Sequence, residues 1–339
     1  MTEEMYKRLN NYLNEIFIKL SKEHKKFVEN LELIVGLNAM IDNFLPRRIE
    51  DKLKTNNLSF NDVFLLGREI IEYINPKYLK EYDELINSGK LEFDYDGNCE
   101  SAVIWLENSD VKLIDIERHF NYDDVSQLIH EFFHYTELKN KNKATHNYVF
   151  LTEFIAIYFE KIAERYLIRE KNIPIDEIRL NLRTISFCRH NDAFYKYSVI
   201  LMAYLNFGDI NENTSNDLEK YMDFKDNYFE QECMTVLQKF DKINELNNES
   251  DSIIEMTNLV NFNYKYIVGT FLASYALEHS KMQDMVKLND KINDKNYENL
   301  SIREILNTVN IKISNEMINE TLCIIGDSIY DYEGKTKCL

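Results

Sequence analysis

The most informative part of this sequence is the segment DDVSQLIHEFFH, residues 123–134. Two aspartates at its start favour the first turn of a helix, and the apolar residues that follow predict a helix with a broad buried surface. His130 and His134 lie four residues apart, so an α-helix places both imidazoles on one face, one turn of about 5.4 Å apart. Both rings can then reach one metal ion, and the carboxylate of Glu131 can act on a water molecule beside it.

This helix has a competing interpretation, in which it is simply amphipathic and the histidines are incidental. A buried helix that carries two histidines and a glutamate must satisfy their polar groups. A bound metal does so better than anything else that the local sequence offers. The spacing therefore favours a metal site of the kind that zinc hydrolases use.

Two short runs rich in β-branched residues precede the helix: SAVIWLE at residues 101–107 and VKLIDIE at residues 111–117. The intervening Asn-Ser-Asp indicates a turn, so two strands are predicted to lead into the helix. The first strand could pair with an extended substrate by edge addition, or it could be an internal strand of the sheet.

A third metal ligand is expected from another element, because a catalytic zinc usually has three protein ligands. Glu153 is the candidate, within a second helical pattern at residues 151–167. Glu153, Ala156 and Glu160 share one helix face, which places Glu160 to hydrogen-bond a ligand imidazole. The alternative for Glu153 is a solvated helix charge, but its apolar neighbours favour a buried carboxylate.

The composition predicts a helix-dominated chain, since 339 residues contain only 8 Gly and 3 Pro. A mainly α fold with a small β-sheet beside the metal-site helix is expected. A single domain over residues 1–339 is predicted, in which a soft division near residue 100 would separate a helical lobe (1–100) from a zinc-site lobe (101–339). Apolar spacing typical of helices recurs at residues 6–20, 27–44, 62–74, 195–207 and 264–277, and Asn-rich loops are predicted at 211–217 and 244–251.

The net charge of -18 argues against nucleic-acid binding, because phosphates would be repelled over much of the surface. The N-terminal residues form a charged amphipathic pattern without the apolar core of a leader peptide, and no apolar run reaches the roughly 18 residues of a membrane span. We therefore expect no membrane partner and a cytoplasmic location. The five cysteines form no CxxC pair, which predicts reduced thiols.

Three segments together resemble the oligopeptidase F and thimet oligopeptidase family of zinc peptidases: DVSQLIHEFFH (124–134), TEFIAIYFE (152–160) and YKYIVG (264–269). The resemblance implies a zincin-like helical metallopeptidase with a substrate channel or cleft, which cuts short unfolded peptides. It also implies that Tyr266 is a catalytic residue and that Tyr264 contacts the substrate.

The chain departs from the pattern of that family at two positions near the zinc motif. Phe133 stands where the family usually has Gly, and Glu137 stands where it has a further His. These departures, with the absence of a His in residues 253–263 where the family has one, motivate one alternative, a zinc-containing peptide-binding protein without turnover, although the intact Glu131 argues against it. A dedicated processing protease for one precursor peptide is a further possibility. Among the other histidines, His190 is the best candidate for a substrate contact.

The predicted function is that of a zinc metallo-endopeptidase acting on peptides. His130, His134 and Glu153 would hold Zn²⁺, and Glu131 would remove a proton from the attacking water. Tyr266 would donate a hydrogen bond to the oxyanion that forms at the scissile carbonyl. The sequence leaves the oligomeric state open.

Overall fold

α-Helices dominate the computed structural model of this chain. Three strands form one small sheet, so the mainly α fold with a small β-sheet that the sequence predicts is confirmed. The structure describes residues 1–23, 56–94, 101–106, 111–139, 149–174, 177–178, 196–221, 228–292 and 300–333.

The helices vary from one and a half to more than eight turns. Residues 196–207 are also helical, and a 3₁₀ turn, Pro76–Tyr78, joins α2 to α3. Within the described ranges, no helix combines the length and the apolar character needed to cross a membrane. In chain order, the elements are α1 (Glu3–Glu23), α2 (Phe60–Ile74), α3 (Leu79–Asn87), β1 (Leu91–Asp94), β2 (Ala102–Leu106), β3 (Val111–Glu117), α4 (Asp123–Lys139), α5 (Val149–Arg169), α6 (Glu212–Tyr221), α7 (Tyr228–Leu246), α8 (Glu249–His279), α9 (Met282–Lys291), α10 (Ile302–Asn307) and α11 (Asn315–Glu333).

The chain divides into two compact units. The first unit contains Met1–Leu45 and Phe187–Ile267, and the second contains Pro46–Ser186 and Val268–Leu339. Residues of α8 therefore contribute to both units. The soft division that the sequence suggests near residue 100 falls outside the described residues and stays a prediction.

Helix α4 packs against α5, α2 and strand β3 within the second unit. The broad apolar surface that the sequence predicts for this helix is buried, since five of its apolar side chains are at most 1% exposed. Burying each side chain of this size contributes about 1.5 to 3 kcal/mol, which fixes the orientation of the helix about its own axis. The five residues are Val125, Leu128, Ile129, Phe132 and Phe133.

A buried ion pair fixes the junction between β3 and α4. The guanidinium of Arg118 donates to Oδ2 of Asp124, whose Oδ1 accepts from the backbone N–H of His119 at 2.7 Å. Because a buried charge is costly unless it is paired and hydrogen-bonded, these contacts hold the chain on one path into the helix. The side chain of Asn121 accepts from the N–H of Asp123 at 2.9 Å, and α4 begins at Asp123 as the sequence predicts.

The sheet has the strand order β1-β3-β2 and packs against α4. Strand β2 pairs antiparallel with β3, with Ala102 opposite Asp115 and Leu106 opposite Val111. These are the two strands that the sequence predicts, and β2 lies at an edge of the sheet that the described residues form. The parallel strand β1 was not predicted, because its four residues, LEFD, are too few to display a clear alternation.

The loop predicted at residues 211–217 is wrong, because α6 begins at Glu212. The side chain of Asn211 accepts from the N–H groups of Asn213 and Thr214 at 3.0 and 3.1 Å, so it caps the helix instead of starting a loop. Polar residues dominate this short helix, so the sequence shows no helical periodicity of apolar residues there. The helix pattern at residues 27–44 lies outside the described residues.

Candidate metal centre

Helices α4 and α5 bring the two motif histidines and one glutamate together. His130 and His134 lie one turn apart on α4, and Glu153 lies in the first two turns of α5. One ligand atom from each of these three residues lies within 4.8 Å of the other two. His130 and Glu153 are 2% and 4% exposed, and His134 is half-buried. The three residues, named here the metal-ligand group, could hold a metal ion.

The distances within the metal-ligand group match the donor spacing of a zinc site. Nε2 of His130 lies 3.1 Å from Nε2 of His134, and Oε2 of Glu153 lies 3.6 Å from each of these nitrogens. Two tetrahedral ligands at about 2.0 to 2.1 Å from one zinc ion are about 3.4 Å from each other. A zinc ion therefore fits among the three atoms with only small side-chain movements.

Glu160 hydrogen-bonds the first histidine of the group. Its Oε2 lies 2.8 Å from Nδ1 of His130, and the side chains of both residues are 3% exposed. Because an ionised carboxylate can only accept, Nδ1 carries the proton, and the lone pair of Nε2 is left for the metal-ligand group. The face shared by Glu153 and Glu160 is the one that the helical spacing predicts.

Buried carboxylates make the surroundings of the two imidazoles strongly negative. Burial is the largest single effect on the pKa of His134, and it lowers that pKa. The carboxylates of Glu153, Glu137 and Glu131 together outweigh burial and raise the pKa of His134 to about 10. A positive charge is therefore favoured at this position, and either a proton or a metal cation can supply it.

Glu131 lies beside the metal-ligand group without being part of it. Its Oε1 lies 3.9 Å from Nε2 of His130, and the residue is 4% exposed. A carboxylate held this close to a metal position, but not used as a ligand, can accept a proton from a water molecule there. The role of Glu131 as a general base stays a prediction.

Glu137 makes a contact to which the sequence analysis assigned no function. Its Oε2 lies 3.9 Å from Nδ1 of His134, and its side chain is 7% exposed. Residues three apart on a helix are neighbours, and this spacing was the signal available in the sequence. In both histidines, therefore, Nε2 faces the metal-ligand group and Nδ1 faces a carboxylate.

Phe133 fills the space between α4 and α5. Its ring stacks on that of Phe159, with a centroid distance of 3.8 Å and an interplanar angle of 13°, and meets the Tyr78 ring edge-on at 5.5 Å. The residue before His134, which is Gly in the family that the sequence resembles, is thus a core contact in this chain. It joins the two helices that carry the metal-ligand group.

Gly269 of α8 approaches the backbone of α5 at the position of Glu153. An added Cβ would lie 3.1 Å from Cβ of Glu153 and 3.1 Å from the backbone nitrogen of Phe154. This glycine belongs to the segment YKYIVG, but nothing in the sequence identified its contact.

The aromatic residues proposed from the same segment lie partly outside the described structure. The ring of Tyr266, in the first unit, meets the Phe262 ring edge-on at 5.0 Å, and the ammonium of Lys265 lies 4.6 Å from its centroid. The side chain of Tyr264 and the whole of His190 lie outside the described residues. The functional roles of these residues stay predictions.

Comparisons with known proteins bear on the fold. No family model matches the sequence, and no curated protein matches it. Among solved structures, the chain is similar to one described as PZ peptidase A with inhibitor 2, with a TM-score of 0.50 and 14% sequence identity. The match covers 98% of this chain and 59% of that chain, so this chain spans less than two thirds of its length. At this identity, the similarity shows that the two chains share a fold over the matched part.

Proposed function

We propose that this chain is a zinc-dependent peptidase. The observation that carries the proposal is the metal-ligand group of His130, His134 and Glu153, whose spacing fits zinc, with Glu131 beside it. The similarity in fold to a peptidase structure supports the same class. The resemblance of the zinc motif and its neighbours to oligopeptidases supports short, unfolded peptides as substrates.

The residues of the site divide into three tasks in this proposal. His130, His134 and Glu153 would hold the zinc ion, which would polarise the scissile carbonyl and increase the acidity of a water molecule. Glu131 accepts the proton of the attacking water and later delivers it to the leaving amine. Glu160 accepts a hydrogen bond from Nδ1–H of His130 and so keeps the Nε2 lone pair directed at the position of the ion.

Strand β2 offers a way to bind the peptide in extended form. It lies at the edge of the described sheet, and its partner β3 leads directly into α4. Backbone N–H and C=O groups on such an edge can form a further ladder with an extended peptide. The edge position of β2 therefore supports a peptide as the substrate.

Two substitutions test the mechanism. His134→Ala removes a ligand, and purified protein should fall from about one zinc ion per chain to near none. Glu131→Gln removes a base and no ligand, so it should keep the zinc while peptide turnover falls at least about a hundredfold. The measurements are zinc content by atomic emission and the cleavage rate of a quenched peptide library.

The alternatives give different results in the same assays. A wild-type protein that takes up no zinc, or a Glu131→Gln variant with unchanged turnover, would exclude the proposed mechanism. Zinc uptake without cleavage of any library peptide would favour a binding protein. Cleavage of one sequence alone would favour a dedicated processing protease.

The proposed role of Tyr266 has its own test. Tyr266→Phe removes one hydroxyl and keeps the ring that packs on Phe262. If the hydroxyl stabilises the oxyanion, kcat should fall roughly tenfold to a thousandfold, with zinc content and Tm unchanged. A variant with wild-type kcat would assign Tyr266 to packing alone.

A further inference from the structure

Each histidine of the metal-ligand group has a carboxylate near its Nδ1, and the two carboxylates come from different helices. For His130, the neighbour is Glu160 of α5, whose Oε2 lies 2.8 Å from Nδ1. For His134, it is Glu137, which follows on the same helix α4, with its Oε2 3.9 Å from Nδ1. Glu137 is 6% exposed, so its carboxylate lies inside the protein next to the imidazole.

The tautomer of His134 decides whether its Nε2 can bind a metal. A neutral imidazole carries one N–H, and Nε2 presents a lone pair only when the proton is on Nδ1. The Nε2 side of the ring faces His130 and Glu153, at 3.1 and 3.6 Å. The opposite nitrogen, Nδ1, then carries the N–H, and this group needs an acceptor because only 16% of the His134 side chain is exposed.

We propose that Glu137 is a positioning residue for the metal centre, whose carboxylate accepts a hydrogen bond from Nδ1–H of His134 and holds Nε2 towards the metal. The inference rests on the zinc site of the proposed function. The glutamate side chain has three rotatable bonds, so a small rotation brings its oxygen from 3.9 Å to the length of a charge-assisted hydrogen bond, about 2.8 Å. Both ligand imidazoles are then oriented by a carboxylate, one from each helix of the site.

This arrangement gives Glu137 a function that a merely charged core residue would not have. A carboxylate that accepts from a ligand imidazole fixes the ring orientation and makes the ligand nitrogen more basic. Its loss should therefore weaken zinc binding and change the ligand field of the bound ion. A contribution to folding alone would lower the stability and leave both of these properties unchanged.

The test compares Glu137→Ala and Glu137→Gln with the wild-type protein and with a matched control. Glu170→Gln removes the same charge from an exposed position in the same unit. The readouts are the Kd for zinc, measured by competition with a chromophoric chelator, and the visible absorption spectrum of the Co²⁺-loaded protein. We expect Glu137→Ala to raise the zinc Kd about tenfold to a hundredfold and to alter the cobalt bands.

The variants separate this inference from its alternatives. Glu137→Gln keeps an acceptor oxygen but not the charge, so its Kd should lie between those of the wild type and Glu137→Ala, and Glu170→Gln should match the wild type. A wild-type Kd and cobalt spectrum in Glu137→Ala would overturn the inference, even if the Tm of the metal-free protein falls. If Glu137→Ala fails to fold by circular dichroism, the same criterion applies to Glu137→Gln.

Failure of the proposed function has a different signature. A wild-type protein that binds zinc and cleaves no peptide would overturn the peptidase proposal, while a raised Kd in the Glu137 variants would still support the positioning role. A wild-type protein that binds neither zinc nor Co²⁺ would overturn both.

Discussion

Among single residues, the position of Glu153 depends on a glycine in another helix. A side chain at Gly269 would place its Cβ 3.1 Å from Cβ of Glu153 and 3.2 Å from its carbonyl carbon. Contacts this short are tighter than almost all real Cβ contacts, so the backbone of α5 would have to move by a few tenths of an ångström. The small residue therefore lets α8 pack directly behind a predicted metal ligand.

Gly269→Ala should weaken zinc binding clearly and change the free energy of unfolding only a little. Alanine stabilises a helix by about 1 kcal/mol relative to glycine. This stabilisation offsets much of the steric strain, so the free energy of unfolding changes little. The displaced Glu153, however, no longer has the ligand spacing of the native site. We expect the zinc Kd to rise about tenfold, as it does in other metal sites when a residue that orients a ligand is removed. The urea midpoint of the metal-free protein should change little.

Gly89→Ala is the control that lowers the folding stability without touching the metal-ligand group. Gly89 has φ +68°, and an added Cβ meets nothing within 4 Å, so the substitution introduces backbone strain of about 1 to 2 kcal/mol and no steric contact. It should lower the urea midpoint and leave the zinc Kd unchanged.

Equal zinc Kd values for Gly269→Ala and the wild type would show that the position of Glu153 does not depend on its contact with Gly269.

Helical spacing determines which side chains share a face, so the sequence predicted the pairs His130 with His134 and Glu153 with Glu160. That the two pairs come together depends on the packing of α4 against α5, which spacing within one helix does not determine. The contact of Gly269 was not predictable, since it joins residues more than a hundred positions apart and depends on the packing of two helices. Spacing also suited Glu137, but every helix contains many pairs three residues apart, and the sequence does not show which are buried.

Among the secondary-structure elements, the contact between α4 and α5 supports the site. These helices carry all three residues of the metal-ligand group, and Phe133 stacks on Phe159 between them. Both rings are at most 1% exposed. A stacked aromatic pair contributes about 0.5 to 1.5 kcal/mol beyond the area that it buries, so this pair holds the helices together next to the ligands.

Phe133→Ala should destabilise the second unit strongly. Replacing a buried phenylalanine by alanine costs about 3 to 5 kcal/mol, because the apolar contacts are lost and a cavity remains. Urea unfolding of the metal-free protein, followed by circular dichroism, should show a clearly lower midpoint. Leu65→Ala is the control, since Leu65 is 62% exposed and its loss should change the free energy of unfolding by less than about 0.5 kcal/mol. Equal midpoints for the two variants would contradict this packing role.

The elements that the sequence predicted are those with a clear period. Strand β3 and helices α2 and α4 each bury a regular set of apolar residues, and β2 (AVIWL) is rich in apolar residues, so their patterns were visible. Strand β1 and helix α6 were missed for two different reasons. The first is too short to show its alternation, and the polar residues of the second resemble a loop until the cap at Asn211 is seen.

For the molecule as a whole, the charge of the chain bears on the peptides that the proposed peptidase would bind. The net charge is -18, and the metal-ligand group itself lies among buried carboxylates. Exposed charges act over about 8 to 10 Å at physiological salt, so the surface charge speeds the approach of basic peptides without deciding which bond is cut. In the proposed peptidase, selection of the substrate would then come from the conformation of the peptide and from its contacts near the metal-ligand group.

The last prediction is that unfolded peptides are cut and folded proteins are spared. A substrate that pairs with the edge of β2 must be extended, so a segment inside a folded helix must first leave its own hydrogen bonds. Global unfolding of a stable protein costs about 5 to 15 kcal/mol, which reduces the accessible fraction at least about a thousandfold. The test compares cleavage rates for peptides of graded length and for a stable protein that carries the preferred sequence in a surface helix. A destabilised variant of that protein is the control and should be cut faster. Rapid cleavage of the stable protein, or a rate that keeps rising with peptide length, would contradict selection by unfolding and leave the zinc chemistry unaffected.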